Sequence, residues 1–204
     1  MRAIELAGKL IVLEGIDSSG KSTQARLLAE RLAAAGYSVV TTREPGGTTI
    51  AESVRRLLLE REHHAMLPLS ELLLFMVSRA QNTHEVIRPA LEAGKVVVAS
   101  RYRLSSVAYQ GFGRGLDLDL VHTLNDAVTG GLLPDVTFLI DLPAEVAVAR
   151  KEENDRIEGE SIEFHRRVRR AFLDLVGADP AGRIIDGTKS VEAIADEVAK
   201  HLGI

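Results

Sequence analysis

Eight consecutive residues, Gly15-Ile16-Asp17-Ser18-Ser19-Gly20-Lys21-Ser22, constrain this chain more than any other stretch. They satisfy the spacing G-x-x-x-x-G-K-[ST] without a gap. The flanks matter as much as the letters. Leu10-Ile11-Val12-Leu13 is a short apolar run of the kind that forms a buried strand. Residues 23–35 follow the loop and read as a helix, with apolar positions at Leu27, Leu28 and Leu32. Strand, glycine loop and helix start together aim backbone N–H groups at one point, where they cradle phosphate oxygens. Lys21 adds a mobile point charge for β- and γ-phosphates, and the Ser22 hydroxyl is placed to ligate Mg2+.

The rest of the chain continues the alternation. Strand-like runs occupy residues 10–14, 38–42, 96–100, 136–142 and 183–186, with helical patterns between them. Gly36 ends the first helix, and Ser70 is expected to cap a long helix toward Gly94 that Pro89 bends. Asp117 caps another helix, which Gly130-Gly131 stop. Pro143 stands at the first turn after the fourth strand, and Val191, Ile194, Val198 and Leu202 mark a closing helix. Alternating strands and helices joined by right-handed crossovers imply an α/β fold: a five-stranded parallel sheet with helices on both faces, P-loop NTPase-like. Ligands of such sheets sit at the carboxyl ends of the strands. The unusual residues fall at those ends: 15–22, 43–48, 100–110 and Asp141.

A chain of 204 residues suits one domain, 1–204, with a full-sized core. It has no cysteine, which excludes disulfides, thiolate zinc sites and cysteine nucleophiles. A net charge of −4 does not suggest a nucleic-acid surface. The basic run His165-Arg166-Arg167-Val168-Arg169-Arg170 does not change this, because Phe164, Val168, Ala171, Phe172 and Leu175 share one helix face and Arg166, Arg169 and Arg170 the other. Neither an apolar leader at residues 1–8 nor a membrane-length apolar run is present, so a cytoplasmic protein without a membrane partner is expected.

Two segments read as the far side of a cleft. Thr42-Arg43-Glu44-Pro45-Gly46-Gly47-Thr48 turns tightly after the second strand and points Arg43 inward, with Glu44-Pro45 a candidate cis peptide. Ser100-Arg101-Tyr102 and Ser105-Ser106-Val107-Ala108-Tyr109-Gln110-Gly111 follow the third strand. Their mixture of arginine, hydroxyls, tyrosines and an amide suits recognition of a planar, polar ligand.

With these blocks in order, the chain resembles the thymidylate kinases over nearly its whole length. The resemblance is carried by residues 15–23, 42–48, Leu73-Leu74-Phe75 through Arg79-Ala80-Gln81, 86–94, 101–115 and 155–160. It implies transfer of the γ-phosphoryl group of ATP to dTMP, giving dTDP, with Mg2+ as cofactor. By that resemblance Gly15, Ile16, Asp17, Ser18, Ser19, Gly20, Lys21, Ser22 and Thr23 bind ATP, with Asp17 approaching the sugar 3′-hydroxyl and metal-bound waters. Phe75 stacks on thymine, Arg79 reaches the base carbonyl at position 4, and Ser106 and Gln110 bond the base edge. Tyr109 packs on the sugar, and Arg43 and Arg101 hold the acceptor phosphate. Core packing is the default reading of Phe75 in its apolar run, whereas a cation four residues on, at Arg79, is unusual for packing alone.

The charge run Arg150-Lys151-Glu152-Glu153-Asn154-Asp155-Arg156-Ile157-Glu158 reads by itself as a solvated surface, and the resemblance implies a mobile lid near residues 150–160. Ser18 and Ser19 leave the phosphate loop without an arginine, so Arg156 is expected at the transferring group, with Arg150 second or beside the ATP base. Asp17, Lys21, Arg101 and Arg156 are thus the expected catalytic residues. The resemblance also implies a homodimer, to which the apolar helix around residues 69–77 contributes, although core packing explains that stripe as well. One position departs from the family pattern: Ser100 stands where an aspartate precedes the Arg-Tyr pair. Three readings follow: a tolerated variant, weaker metal affinity offset by Asp17 or Asp141, or a divergent member. A guanine-reading Asn-Lys-x-Asp sequence is absent, which argues against a GTPase switch.

Overall fold

The computed structural model describes residues 6–150 and 155–204. Its order is β1 (Leu10–Glu14), α1 (Lys21–Ala34), β2 (Val39–Arg43), α2 (Thr49–Leu59) and α3 (Pro68–Asn82), then α4 (Arg88–Glu92), β3 (Val96–Ser100) and α5 (Arg103–Ser106). There follow α6 (Leu118–Thr129), β4 (Val136–Asp141), α7 (Ala144–Ala149), α8 (Ile162–Ala178), β5 (Gly182–Asp186) and α9 (Val191–Leu202). Among the described residues the sheet has five strands in the order β2-β3-β1-β4-β5, all pairs parallel.

β1 and β3 are buried along their whole length, which explains why they read as unbroken apolar runs rather than alternating ones. Their side chains still alternate between two cores. Ile11, Leu13, Val98, Phe138 and Ile140 pack with Leu28 and Leu32 of α1 and Ile194 and Val198 of α9. Leu10, Val12, Val97 and Ala99 face the other way, against Ile87, Ala90 and Tyr102. A further cluster joins α2, α3, α6 and α8 through Leu58, Leu72, Val121, Val168 and Phe172 beside the acceptor segment.

The expected caps at Asp117, Gly36 and Gly130 are in place. The long helix begins earlier than expected, with Pro68 at its first position and Ser70 inside it. The fixed φ of proline suits the first turn, where its missing N–H is not needed. Pro89 is met by a widened π turn at Thr83–Ile87, in which the Arg88 N–H bonds the Thr83 carbonyl five residues back. A second π turn, Val107–Gly113, carries Tyr109 and Gln110, and the Arg114 N–H reaches the Tyr109 carbonyl at 2.9 Å. Such turns widen a helix locally and re-aim its side chains, and they are frequent at functional sites.

Candidate active site

The loop after β1 is shaped by close approach. A side chain at Gly15 (φ 146°) would place its Cβ 2.7 Å from the Ile140 carbonyl oxygen. Only glycine fits there. Among the described residues, Ser18 (φ 59°) and Arg101 (φ 71°) are the non-glycine residues in the left-handed region. Both line the phosphate-loop cavity, where local strain commonly marks function.

That cavity, of about 480 Å³, is walled by Asp17, Ser18, Gly20, Lys21, Ser22, Thr23, Arg43, Arg55, Ser100, Arg101, Arg150 and Glu158 among others. A second, narrower one of about 90 Å³ is lined by Phe75, Tyr109, Gln110, Ser105, Leu59, Pro45 and Ile157. The two share Asp17, Arg55, Arg101 and Glu158, so they meet at one charged junction.

Arg101 is fastened on every side of that junction. Its guanidinium pairs with Asp17 and donates to the Gly15 carbonyl at 3.1 Å and to the Ser105 and Tyr109 hydroxyls at 3.3 Å. It also lies 5.0 Å from the Tyr109 ring centroid. The Tyr109 hydroxyl donates to the other Asp17 oxygen at 2.7 Å. Burial alone would raise the Asp17 pKa, but Arg101, Lys21 and the Tyr109 hydroxyl outweigh it and hold the carboxyl at about 2. Burial would likewise discharge Arg101, yet Asp17, Tyr109 and Glu14 keep its pKa above the ordinary value. Lys21 goes the opposite way. Burial and the nearby Arg101 lower it to about 7, while its Nζ folds back to the Ile16 carbonyl at 2.6 Å.

The expected site residues divide into those on the cavities and those behind them. Phe75, Tyr109, Gln110, Arg101 and Asp17 line the acceptor cavity, and Arg43 lines the phosphate cavity while paired with Glu52 at 3.0 Å. Ser106 and Arg79 are fully buried and line neither. Arg79 donates to Glu44 at 2.7 Å, Ser106 at 2.8 Å, Asn125 at 2.7 Å and the Tyr102 carbonyl at 2.8 Å. It therefore stands behind the wall of the acceptor cavity, with its nitrogens engaged by protein acceptors. Arg156 is placed differently from expectation too. It pairs with Glu71 at 2.7 Å, donates to the Leu58 carbonyl at 2.9 Å and lines neither cavity. Arg150, in the segment expected to be a lid, lines the phosphate cavity. Residues 151–154 of the expected lid lie outside the described residues. Asp141 is engaged by Arg169 in a two-point pair at 2.7 and 2.8 Å, so it is not free to replace the missing carboxylate at Ser100.

Three contributors were not anticipated. Arg55 borders both cavities and donates to the Pro45 carbonyl at 2.9 Å. Its signal was its spacing on α2 after the glycine turn. Glu158 lies at the junction, lining both cavities. Glu14 looked like the last strand residue, yet its buried carboxylate accepts from the Tyr102 N–H at 2.9 Å and the Ser105 hydroxyl at 2.6 Å. It thereby ties down the turn that presents Arg101.

For a metal, the Ser22 hydroxyl stands on the phosphate cavity beside Asp17. Among the described residues no group of three His, Cys, Asp or Glu side chains is gathered to hold one. This donor set fits Mg2+ held mainly by phosphate oxygens and water, with one protein hydroxyl. The basic run on α8 is paired internally: Arg166 with Glu145, Arg169 with Asp141 and Arg170 with Asp174.

Comparison with known proteins agrees with this geometry. A family model described as thymidylate kinase matches residues 13–198. A thymidylate kinase of an Exiguobacterium species is 48% identical over 200 residues, covering 96% of this chain and 94% of that protein. One from Geobacter sulfurreducens is 46% identical over 205 residues, covering 96% of each. The crystal structure of thymidylate kinase from Ehrlichia chaffeensis superposes with a TM-score of 0.81 at 36% identity, covering 97% of this chain and all of that one. Sequence and structure together make this chain a member of the thymidylate kinase family.

Proposed function

We infer that the chain catalyses the reaction its family is named for: the γ-phosphoryl group of ATP passes to the phosphate of dTMP, giving dTDP and ADP. The observation that carries the site assignment is the junction, where the phosphate-loop cavity and the aromatic-walled cavity meet at Asp17, Arg55 and Arg101. In this reading the nucleotide triphosphate lies on the loop backbone and Lys21. The thymine lies beside Phe75 and Gln110, and the acceptor phosphate lies against Arg101, Arg43 and Arg55.

The acceptor phosphate is largely ionised at neutral pH, its second pKa being about 6, so no general base is required. The protein's task is to hold two repelling anions in line and neutralise the charge that spreads over the transferring group. Mg2+ would be held with the help of the Ser22 hydroxyl and the nearby Asp17 carboxylate, and would supply part of that neutralisation. Tyr109, fixed by its bond to Asp17, packs on the sugar. Arg150 approaches the phosphates from the lid. Arg156 fastens the closed lid to Glu71 and α2.

MgATP-dependent ADP release with dTMP, dUMP, UMP, AMP, GMP and CMP tests the assignment. Turnover is expected to be fastest with dTMP, slower with dUMP and small with the rest. A purine monophosphate as best acceptor would move the chain to another nucleotide kinase activity. Ser100 borders the phosphate cavity and carries no charge. Ser100→Asp is therefore expected to tighten Mg2+ dependence or raise turnover. Titration of activity with Mg2+ checks it, and unchanged half-saturation and kcat would show that the position has little electrostatic weight.

The protein is further proposed to work in the cytoplasm as a homodimer. Leu69, Leu73 and Val77 on α3 are each about half exposed at four-residue spacing, an apolar stripe suited to a second copy. Sedimentation equilibrium of the unaltered protein and of Leu73→Glu is expected to show a dimer and a weakened dimer respectively.

A further inference from the structure

Gln110 lies in the wall of the acceptor cavity and is 1% exposed. Its amide nitrogen donates to Glu71 Oε1 at 2.9 Å, while its own carbonyl oxygen has no protein partner. The direction of that amide is set from behind. Glu71 is itself buried and does not line the cavity. Arg114 holds both its oxygens, at 3.1 and 3.0 Å, and Arg156 pairs with it at 2.7 Å. Burial opposes ionisation of Glu71, but the bonds from Arg114 and Gln110 and the charges of Arg114 and Arg156 hold its carboxyl below the usual range.

An ionised carboxylate can only accept hydrogen bonds. Facing it, Gln110 must turn its NH2 group toward Glu71, which leaves the carbonyl oxygen, buried and without a protein partner, as the end turned away from Glu71. We propose that Glu71 is the specificity-determining positioning residue of the acceptor site: it fixes the amide orientation of Gln110 so that the cavity offers an acceptor to the ring edge of the base. That edge must then carry an N–H, as thymine and uracil do at N3. Cytosine has a lone pair there and would leave two acceptors facing each other. The proposal rests on the reading of this cavity as the base site. It also makes Glu71 a shared anchor, since the same carboxylate holds Arg156 of the lid.

Glu71→Gln tests it. A glutamine at 71 can accept as well as donate, so Gln110 is released to present either end. The ratio of kcat/KM for dTMP to that for dCMP is expected to fall about ten- to hundredfold, the range for a buried hydrogen bond that is mispaired. Glu71→Asp keeps the carboxylate and is expected to keep the ratio. A purely structural role for Glu71 would slow both substrates alike and leave the ratio unchanged, which would overturn the proposal, as would an equal fall in Glu71→Asp. Should Glu71→Gln not fold, Glu71→Met with Arg114→Met removes the carboxylate together with its main ion-pair partner, and the same fall in the ratio is expected. Failure of the underlying site assignment would show separately, as a lack of dTMP preference in the unaltered protein.

Discussion

Arg101→Ala is expected to lower kcat/KM for dTMP on the order of 10³-fold, with ATP binding changed far less. The side chain stands where both cavities meet, and its donors reach Asp17, the Gly15 carbonyl and the Ser105 and Tyr109 hydroxyls. It is therefore placed before either substrate arrives. A guanidinium held in this way loses little freedom when it neutralises charge on the transferring group. Its removal has a second effect. Asp17 loses the largest of the influences that hold its pKa near 2, so its carboxyl rises toward the ordinary range and its bond from Tyr109 loosens. Arg101→Lys keeps the charge but not the planar fork, and only part of the loss should be recovered. Steady-state kinetics with dTMP varied at saturating ATP decide the matter. A fall of less than about tenfold in Arg101→Ala would remove this residue from the transition state.

Most of this site was legible in the sequence because it is local. The phosphate loop is contiguous, so its letters, its flanking strand and its helix start are enough to place Lys21 and Ser22. The α/β alternation gives the parallel sheet, but the order that puts the ends of β1 and β3 side by side, and so brings Arg101 to Asp17, appears only in the structure. What escaped was the partner of each charge. Arg79 and Arg156 are arginines close to the cavity in sequence pattern, and both look equally able to touch a ligand. Only the packed structure shows Glu44 and Asn125 engaging the first, and Glu71 and the Leu58 carbonyl engaging the second. These partners lie 35 to 98 residues away along the chain, beyond any periodicity. Glu14 escaped for another reason. In a buried parallel strand a terminal glutamate resembles an ordinary strand end, and its value lies in the Tyr102 and Ser105 groups it satisfies on the next strand's loop.

ATP binding is expected to take up a proton and to weaken as the pH rises above 7. Burial and Arg101 bring Lys21 of the free protein to about 7, far below the usual lysine range. At pH 7 about half the molecules then carry a neutral amine, whereas a bound polyphosphate favours the ammonium form. Binding near neutral pH should therefore absorb a fraction of a proton, and the fraction should grow as the pH rises. From roughly pH 7.5 to 9, affinity for MgATP should fall about tenfold per unit. The phosphate's own second ionisation, near pH 6, is complete across that window and does not mask the effect. The same titration acts on folding with the opposite consequence. Between pH 7 and 10.5 the unfolded chain binds the lysine proton more firmly than the folded one, so stability of the free protein should rise with pH there. Calorimetry in two buffers of different ionisation enthalpy measures the proton uptake directly. Lys21→Met should bind weakly with no such uptake and a flat profile. If the unaltered protein also binds with a flat profile and no uptake, the lysine is charged before ATP arrives, and the loop is electrostatically ready without it.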